Sequence, residues 1–367
     1  MADRALHIGV DGRELVGHAT GVGRYLLEVL RAWASDPSFA HRVSVILPAE
    51  PNPTLRRLGD RVHWHVEASA ASGTWWEQTR LPRVLKRIGA DVFFAAGYTA
   101  PLRRVCPFVV ALYDVSFFAH PEWFRPREGR RRRWLSRLAA LRATSVITIS
   151  EFSAGEIVRW IGIPRARIHL AAPGAPPPGD LHAKARPPVV LFVGSLFNRR
   201  HIPELLQAFA LALSSVPEAR LILVGDNRTT PPVDPLTIAN DLGIGSCVSW
   251  RRYVSDHELE ALYGQARVFA FLSDYEGFAM TPMEAIAMGT PPVLLDTPVS
   301  REVYGDAAAL VTADPADIAG ALVRLLTDGN ARASLMAAGR RRLDSYSWPR
   351  TANIVRRALE DAAGRHP

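Results

Sequence analysis

The sequence has few cysteines and almost no lysine. Its two cysteines, Cys106 and Cys247, are far apart in unrelated contexts. This excludes a disulfide framework or a cysteine-ligated metal site and predicts buried thiols. Lys86 and Lys184 are the only lysines, so arginine carries the net charge of +8. An arginine excess is typical of proteins that bind phosphate-rich partners, and it is also the composition that a GC-rich genome produces.

Long apolar segments are missing as well. No stretch reaches the roughly 18 apolar residues that a membrane span requires, and the best candidate, 105–119, is interrupted by Asp114. The N-terminus shows no signal peptide, so we expect a cytoplasmic protein. The hydrophobic fraction of 48% and the charged fraction of 22% exclude disordered, collagen-like and coiled-coil classes. The length of 367 residues fits about two domains.

The sequence does contain a repeated alternation of short apolar runs and amphipathic segments. Strand-type runs lie at 6–10, 43–47, 92–95, 108–112, 145–149, 189–193 and 221–224. One helix face is shared by Tyr25, Leu26, Val29, Leu30 and Trp33. Such alternation predicts parallel sheets covered by helices. A Pro/Gly-rich stretch at 173–180 indicates a linker between two similar α/β domains, 1–175 and 176–347, and we expect a terminal helix at 348–367 to pack on the first.

The segment 274–285 carries the most chemical information. Glu276 and Glu284 lie eight residues apart, and the pattern places the first in a loop and the second in the first turn of the following helix. The backbone amides between them would form an anion site of the kind that helix N-termini provide. The sequence offers no Asp-x-Asp metal motif in a suitable loop.

These features resemble the retaining glycosyltransferases of family 4, which have the GT-B fold. The resemblance extends over nearly the whole chain. It rests on the order and spacing of several motifs: the Glu276-x7-Glu284 pair with Gly-Phe after the first glutamate, and the segments 20–25, 114–117, 120–124, 149–153, 192–195, 199–200, 256–263 and 289–291. It implies an α/β protein of two Rossmann-like parallel-sheet domains facing across a cleft, the first for the acceptor and the second for the nucleotide-sugar.

The resemblance implies an enzyme that transfers a hexose from a nucleotide diphosphate-sugar with retention of the anomeric configuration, using no metal and no other cofactor. We expect mannose from GDP-mannose, transferred to a glycan or lipid-diphosphate acceptor in surface polysaccharide synthesis. A UDP-hexose donor is the alternative. Two other classes stay open, a non-catalytic nucleotide-sugar-binding protein and a nucleotide-sugar epimerase of the same fold.

The resemblance also assigns residues of the second domain. Catalytic roles fall to Glu276, beside the donor sugar, and to Arg199 and Arg200, on the diphosphate. Arg200 stands where relatives commonly have lysine, and a guanidinium can bind a diphosphate bidentately. The alternative for all three is a solvated surface charge. Further donor contacts are expected from Gly194, Gly277, Phe278, Ala279, Met280, Thr281 and Glu284.

Two of these positions have a second interpretation. Glu284 is expected to bind the donor ribose, but Thr281-Pro282-Met283-Glu284 also fits a capping box with Thr281 as the N-cap. Ala279 stands where the family usually has glycine, and alanine is unfavourable there if the backbone requires a positive φ.

In the first domain, the glycine loop Gly21-Val22-Gly23 is expected to contact the donor phosphates and to border the acceptor site, with a plain tight turn as the alternative. Tyr113 and Asp114 complete the catalytic candidates. Many relatives have His-Asp at these positions. Tyr113 can therefore replace the hydrogen bond of the histidine, change the sugar specificity, or indicate a degenerate enzyme.

The segment 123–142 interleaves arginines with aromatic and leucine residues. Its apolar helical stripe is formed by Trp134, Leu135, Leu138 and Leu141. Such a helix can lie peripherally on the anionic inner face of a membrane or contact a lipid-diphosphate acceptor, or it can simply be a surface helix. The sequence contains no aromatic-basic RNA module, and we expect no nucleic-acid partner. The segment 75–78 either lines the acceptor side or belongs to the core.

Overall fold

The computed structural model describes residues 5–17, 21–51, 55–59, 61–68, 73–177, 179 and 186–364. The chain divides into two compact units, Met1–Gly174 with Ser347–Pro367 (unit 1) and Ala175–Tyr346 (unit 2). Thr20 of the first motif and Pro178 and Asp180 of the expected linker lie outside the described residues. No helix in the described ranges is long and apolar enough to cross a bilayer.

Unit 1 contains a 7-stranded parallel sheet. Its strands are β1 (His7–Asp11), β2 (Arg42–Leu47), β3 (Val62–Val66), β4 (Val92–Ala95), β5 (Phe108–Ala111), β6 (Ser145–Thr148) and β7 (Ile168–Leu170). They lie in the order β3-β2-β1-β4-β5-β6-β7. The central strands β4, β5 and β6 are buried at every residue, because helices cover both faces of the sheet.

The helices of unit 1 are α1 (Gly21–Ser35), α2 (Thr74–Thr79), α3 (Leu81–Ile88), α4 (Ser116–Ala119), α5 (Pro126–Arg142), α6 (Glu151–Ile161) and α14 (Trp348–Gly364). The predicted face of α1 is confirmed, since all five of its apolar residues are buried. The predicted stripe of α5 is wrong. Leu135 is buried, whereas Trp134 and Leu141 are exposed, because the core face of the helix is formed by Gly129, Leu135, Ser136, Ala139 and Ala140.

The last helix, α14, packs within unit 1. The Trp33 indole Nε1 donates to the Ala352 carbonyl at 3.0 Å, and the rings of Tyr25 and Trp348 meet edge to face with centroids 5.7 Å apart. Gly174 is glycine for a steric reason, since a Cβ there would lie 2.3 Å from the backbone nitrogen of Trp348. The two chain segments that bound unit 1 therefore meet at close range.

Unit 2 contains a 6-stranded parallel sheet in the order β10-β9-β8-β11-β12-β13. Its strands are β8 (Val189–Val193), β9 (Arg220–Val224), β10 (Val248–Arg251), β11 (Val268–Phe271), β12 (Pro292–Leu295) and β13 (Ala309–Val311). Its helices are α7 (Ile202–Ala212), α8 (Pro235–Asp241), α9 (Asp256–Gln265), α10 (Met280–Ala287), α11 (Pro298–Val303), α12 (Pro315–Thr327) and α13 (Gly329–Asp344). Both units thus have the predicted Rossmann-like arrangement.

In each sheet the strand order reverses at one point, next to the first strand. The reversal lies between β1 and β4 in unit 1 and between β8 and β11 in unit 2. In open α/β sheets, ligands bind outside the carboxyl ends of the strands at this switch point, because the connecting loops diverge there and leave a crevice. The loops that follow these four strands are therefore where a ligand is expected to bind.

Candidate functional site

The loop after β8 carries the arginine pair. The chain passes through Gly194 into a 3₁₀ turn, Asn198–Arg200, which precedes α7. Gly194 has a φ of +149°, and a Cβ there would lie 2.5 Å from Nη1 of Arg200. That nitrogen donates to the Ser195 carbonyl at 2.8 Å. A glycine at 194 is thus what allows the guanidinium to fold back over its own loop.

The loop after β11 supplies the carboxylate that meets this pair. Oε1 of Glu276 accepts from Arg200 Nη2 at 2.9 Å and from the Ser273 hydroxyl at 2.9 Å. Arg199 Nη2 lies 3.9 Å from the same oxygen. Burial acts to raise the pKa of Glu276, but the two guanidinium groups and the hydrogen bonds outweigh it, so the pKa is lowered and the carboxylate stays ionised.

Aromatic rings support both guanidinium groups. The Arg200 carbon Cζ lies 4.7 Å from the centroid of the Phe271 ring, and the Arg199 carbon Cζ lies 4.5 Å from that of Phe197. A planar guanidinium stacks on such faces, whereas a lysine ammonium binds as a compact point charge. These contacts explain how an arginine is accommodated at position 200. In the sequence, Phe197 and Phe271 are the residues that could have indicated a stacked arginine there.

Together, the two arginines and Glu276 carry a net charge of +1 at the switch point of unit 2. Their side chains are mostly buried, with 17%, 12% and 17% exposed for Arg199, Arg200 and Glu276. A charge in partly buried surroundings is less screened than one in water, so the cluster can attract an anion strongly. The structure thus brings together the three residues that the sequence analysis singled out in this domain.

The backbone between Glu276 and α10 takes an unusual turn. Ala279 is the N-cap of α10 and has a left-handed conformation, with φ +63° and ψ +86°. L-residues other than glycine, asparagine and aspartate rarely adopt it. The buried Tyr304 hydroxyl donates to the Ala279 carbonyl and holds the turn in place. Phe278 is buried and packs edge to face against Tyr346, so only its backbone can face a ligand.

The capping-box interpretation of Glu284 is wrong. The helix begins at Met280, so Thr281 lies inside its first turn and cannot be the N-cap, and no side chain caps this end. Glu284 is the fifth residue of the helix and lies in its second turn, not its first. Its Oε2 accepts from the Tyr263 hydroxyl of α9 at 2.9 Å. The amides of Met280 and Thr281 head the helix, where its dipole favours an anion.

His201 connects the loop after β8 to the loop after β11, and it was not identified from the sequence. We call its contacts with Asp274 and Glu204 the histidine clamp. His201, at φ +47°, follows the arginine pair. Its Nε2 contacts Asp274 Oδ1 at 2.8 Å, and its Nδ1 lies 3.4 Å from Glu204 Oε1. The Asp274 amide donates to the Arg199 carbonyl at 3.0 Å. The hydrogen bond to Asp274 is the main cause that raises the pKa of His201, which favours the charged ring.

In unit 1, the expected glycine loop is helical instead. Gly21, Val22 and Gly23 form the first turn of α1, and Gly23 is buried. These residues therefore form neither the predicted loop nor the tight turn of the alternative, while their expected contact with the donor phosphates stays a prediction. Gly21 is exposed, so the helix start remains accessible.

Tyr113 and Asp114 follow β5 but have different surroundings. The Tyr113 side chain is buried, and its hydroxyl donates to the Ala96 carbonyl at 2.8 Å. Asp114 is half-buried and accepts from the Tyr98 hydroxyl at 2.9 Å and from the Ser116 amide at 2.8 Å. Of this pair, Asp114 is the residue with a carboxylate that a ligand can reach.

Metal ligands were not expected from the sequence. In the part of the chain that the structure describes, no group of three or more His, Cys, Asp or Glu side chains is arranged to hold a metal ion.

Comparison with known families divides the chain as the structure does. Residues 19–177 match Glycosyltransferase Family 4, and residues 179–342 match Glycosyl transferases group 1. The first match contains the unit 1 strands β2–β7, since β1 (His7–Asp11) precedes it, and the second contains all six strands of the unit 2 sheet. Together they span most of the chain.

Several curated proteins are similar in sequence. The O-antigen chain mannosyltransferase B of Escherichia coli is 31% identical over 260 residues, 65% of this chain and 66% of that protein. The D-inositol 3-phosphate glycosyltransferase of Acidothermus cellulolyticus is 30% identical over 355 residues, 89% of this chain and 77% of that protein. Over three mannosyltransferases, the chain spans 66%, 59% and 64% of their lengths.

Solved structures agree on the fold. The crystal structure of Anabaena HepE in complex with UDP and glucose superposes with a TM-score of 0.74 at 17% identity, covering 97% of this chain and 100% of that one. WaaG, a glycosyltransferase involved in lipopolysaccharide biosynthesis, superposes with a TM-score of 0.72 over 95% of this chain and 99% of that one, also at 17% identity. With two parallel-sheet units, two matching family descriptions and relatives at about 30% identity, this chain belongs to the family 4 glycosyltransferases of the GT-B fold.

Proposed function

We propose that this protein transfers a hexose from a nucleotide diphosphate-sugar to a glycan or lipid-linked acceptor, with retention of the anomeric configuration, in the assembly of a surface polysaccharide. The observation that carries the proposal is the arrangement of Arg199, Arg200 and Glu276. Two cations and one carboxylate converge at the switch point of the unit 2 sheet, beside the N-terminus of α10.

The arrangement fits the charge that develops during transfer. When the bond between the anomeric carbon and the phosphate oxygen breaks, negative charge grows on the leaving diphosphate and positive charge on the sugar. Arg199 and Arg200 would stabilise the diphosphate, together with the amides of Met280 and Thr281. Glu276 stays ionised, so it would stabilise the positive sugar or bind one of its hydroxyls.

We propose that the acceptor attacks from the face that the leaving group occupies. A bond then forms between the acceptor oxygen and the anomeric carbon, and the leaving phosphate oxygen takes the acceptor proton. Glu276 is a poor candidate for the base, because its lowered pKa opposes protonation. An inverted product would contradict this scheme, and the anomeric configuration is read directly by NMR.

For the donor we propose GDP-mannose, with a UDP-hexose as the alternative. The mannose preference is supported by the mannosyltransferases among the relatives, including the O-antigen chain enzyme of E. coli. The UDP alternative is supported by the UDP and glucose bound to the HepE structure. Glu284, held by Tyr263, would accept hydrogen bonds from the ribose hydroxyls in either case.

For the acceptor we propose unit 1, with Asp114 as the carboxylate that binds a substrate hydroxyl and the start of α1 at its border. We also propose that α5 brings unit 1 to an anionic membrane. Its exposed stripe alternates basic and apolar side chains, Arg130, Trp134, Arg137 and Leu141, at positions i, i+4, i+7 and i+11. Arg131 donates to the Thr74 hydroxyl at 3.1 Å, next to the exposed Trp75.

The first experiment is a thermal-shift screen with UDP, GDP, ADP and CMP and the matching sugar donors. A ligand that binds the folded state raises the melting temperature by mass action. We expect the shift with one base only, and we expect Arg199→Ala to reduce it, since a hydrogen bond to a charged group contributes about 1.5–3 kcal/mol.

Arg341→Ala is the matched control. Arg341 also pairs with a carboxylate, Asp306 at 3.0 Å, but on the exposed surface of α13. The ligand-induced shift should survive this change. No shift with any nucleotide, or equal loss in both variants, would reject the donor site at the unit 2 switch point.

A further inference from the structure

A second polar network lies at the switch point of unit 1. Arg13, just after β1, contacts Asp11 (Nη2 to Oδ2, 2.6 Å) and Glu77 of α2 (Nη2 to Oε1, 3.0 Å). The Thr99 hydroxyl, after β4, donates to the same Glu77 oxygen at 2.6 Å. Asp11 and Glu77 are 2% and 1% exposed. An ion pair this deeply buried is rarely a source of stability, because desolvation offsets the attraction, so its presence calls for another explanation.

The network anchors a strained residue. Tyr98, between Gly97 and Thr99, has a φ of +64°, which is an outlier for a bulky side chain. Such a conformation costs about 1–3 kcal/mol and persists only where the surroundings fix it. Here Thr99 is tied to Glu77, and the Tyr98 amide donates to the Ala111 carbonyl at 3.1 Å.

The strained backbone directs the Tyr98 hydroxyl to one acceptor. That hydroxyl donates to Asp114 Oδ2 at 2.9 Å, while the Ser116 amide donates to Oδ1 at 2.8 Å. The two bonds fix both carboxylate oxygens of Asp114. The ring itself packs edge to face against Tyr113 and Phe117, with centroids 5.5 and 5.9 Å away, and these contacts oppose its rotation away from Asp114.

We infer that Tyr98 is a positioning residue for Asp114, and that the Arg13–Glu77–Thr99 network serves to hold Tyr98 in its left-handed conformation. The inference rests on the proposed function, in which Asp114 binds a substrate hydroxyl. A carboxylate fixed in this way is preorganised to accept that hydroxyl, whereas a mobile one would lose entropy on binding.

The test compares two tyrosines that differ in what their hydroxyls hold. Tyr98→Phe removes the bond to Asp114. Tyr25→Phe is the control, since the buried Tyr25 hydroxyl donates to the Ala171 carbonyl at 2.9 Å and not to Asp114. Both tyrosine rings pack edge to face against Tyr113, and phenylalanine keeps that ring contact in either variant. Thr99→Val probes the anchor through its bond to Glu77. The donor is the nucleotide-sugar identified by the thermal-shift screen, and the acceptors are methyl α-D-mannoside and water. For each variant we measure kcat and KM with both acceptors, and we record the melting temperature.

We expect Tyr98→Phe to lower kcat about tenfold with the donor KM within about twofold, and Thr99→Val to lower kcat in the same direction. Tyr25→Phe should lower the melting temperature by about as much as Tyr98→Phe does, and its kcat should stay within about twofold of the wild-type value. If Tyr98→Phe and Tyr25→Phe have equal kcat values in an active protein, the positioning role is rejected and the proposed function stands. If the wild-type protein turns over no donor, the proposed function fails and the inference falls with it.

Discussion

Two N–H groups of Arg200 converge on a single oxygen of Glu276, with Nη2 at 2.9 Å and Nε at 3.2 Å from Oε1. Glu276→Gln keeps the shape and removes the charge, leaving a buried guanidinium without its counter-ion. We expect a loss of about 3 kcal/mol in the free energy of unfolding, measured with urea at pH 7. Because the pKa of Glu276 is lowered in the folded protein, the stability that its carboxylate provides is complete above the ordinary glutamate pKa. That stability is lost as the pH falls through the lowered pKa of the folded state.

The control for that change is Asp306→Asn, which removes the carboxylate of the exposed pair with Arg341. Exposed pairs contribute about 0–1 kcal/mol, so this variant should unfold close to the wild type. Equal losses in the two variants would mean that the Glu276 carboxylate is effectively solvated.

Ala279 predicts an unusual stabilising substitution. Its φ of +63° is unfavourable for alanine by about 1–2 kcal/mol and is not unfavourable for glycine. Glycine also has more conformational entropy in the unfolded state, and this cancels part of the stability that the substitution gains. Ala279→Gly should therefore raise the melting temperature by a few degrees, measured by calorimetry. Ala287→Gly, at the last residue of α10, should lower it instead, because glycine is a poor helix former. A lower melting temperature for Ala279→Gly would contradict the left-handed conformation.

His201 predicts a pH dependence. Because its folded pKa is raised, the charged ring stabilises the protein fully below the ordinary histidine pKa of about 6.5, and this contribution is lost as the pH rises through the folded value. His201→Gln should therefore be destabilising at pH 5.5 and nearly neutral at pH 9 in urea unfolding. Asp274→Asn should show the same pattern, since Asp274 is the main partner. If His201→Gln lowers the unfolding free energy equally at both pH values, the stabilising role of the charged His201 ring in the histidine clamp is rejected.

The exposed stripe of α5 predicts membrane binding that depends on charge. Cosedimentation with vesicles containing phosphatidylglycerol should exceed that with phosphatidylcholine alone, and it should weaken with salt. Arg130→Glu with Arg137→Glu should abolish it. The control is Arg159→Glu on α6, which reverses another exposed arginine of unit 1. Equal binding to both vesicle types would reject the membrane proposal.

The sheets could be predicted from sequence because buried parallel strands are short apolar runs. The predicted strand 92–95 has the bounds of β4, and 189–193 those of β8. Six of the 13 strands in the described residues were not predicted. Four of them, β3, β7, β10 and β13, lie at sheet edges and are partly exposed, and the β3 sequence, VHWHV, mixes histidines with apolar residues. The other two, β11 and β12, are buried apolar runs that were not identified from the sequence.

The three polar residues of the unit 2 site, Arg199, Arg200 and Glu276, were named from the resemblance to family 4. The structure brings them together because the loops after β8 and β11 meet at the switch point. The start of α10 was missed, since it is fixed by the Tyr304 hydroxyl 25 residues later in the chain. The Arg13–Glu77 pair joins residues 64 apart, which no periodicity or spacing can indicate.

The close approach of Gly174 to Trp348 has a counterpart in unit 2, where the Ala175 amide donates to the Tyr346 carbonyl at 3.2 Å. Unit 2 is therefore a domain insertion whose two ends meet, placed inside the sequence of unit 1. Excision of 175–346 with a short glycine linker between 174 and 347 should leave unit 1 able to fold, because α14 stays attached. A truncation before Trp348 should instead unfold unit 1 while sparing unit 2, although it removes only the chain's last helix.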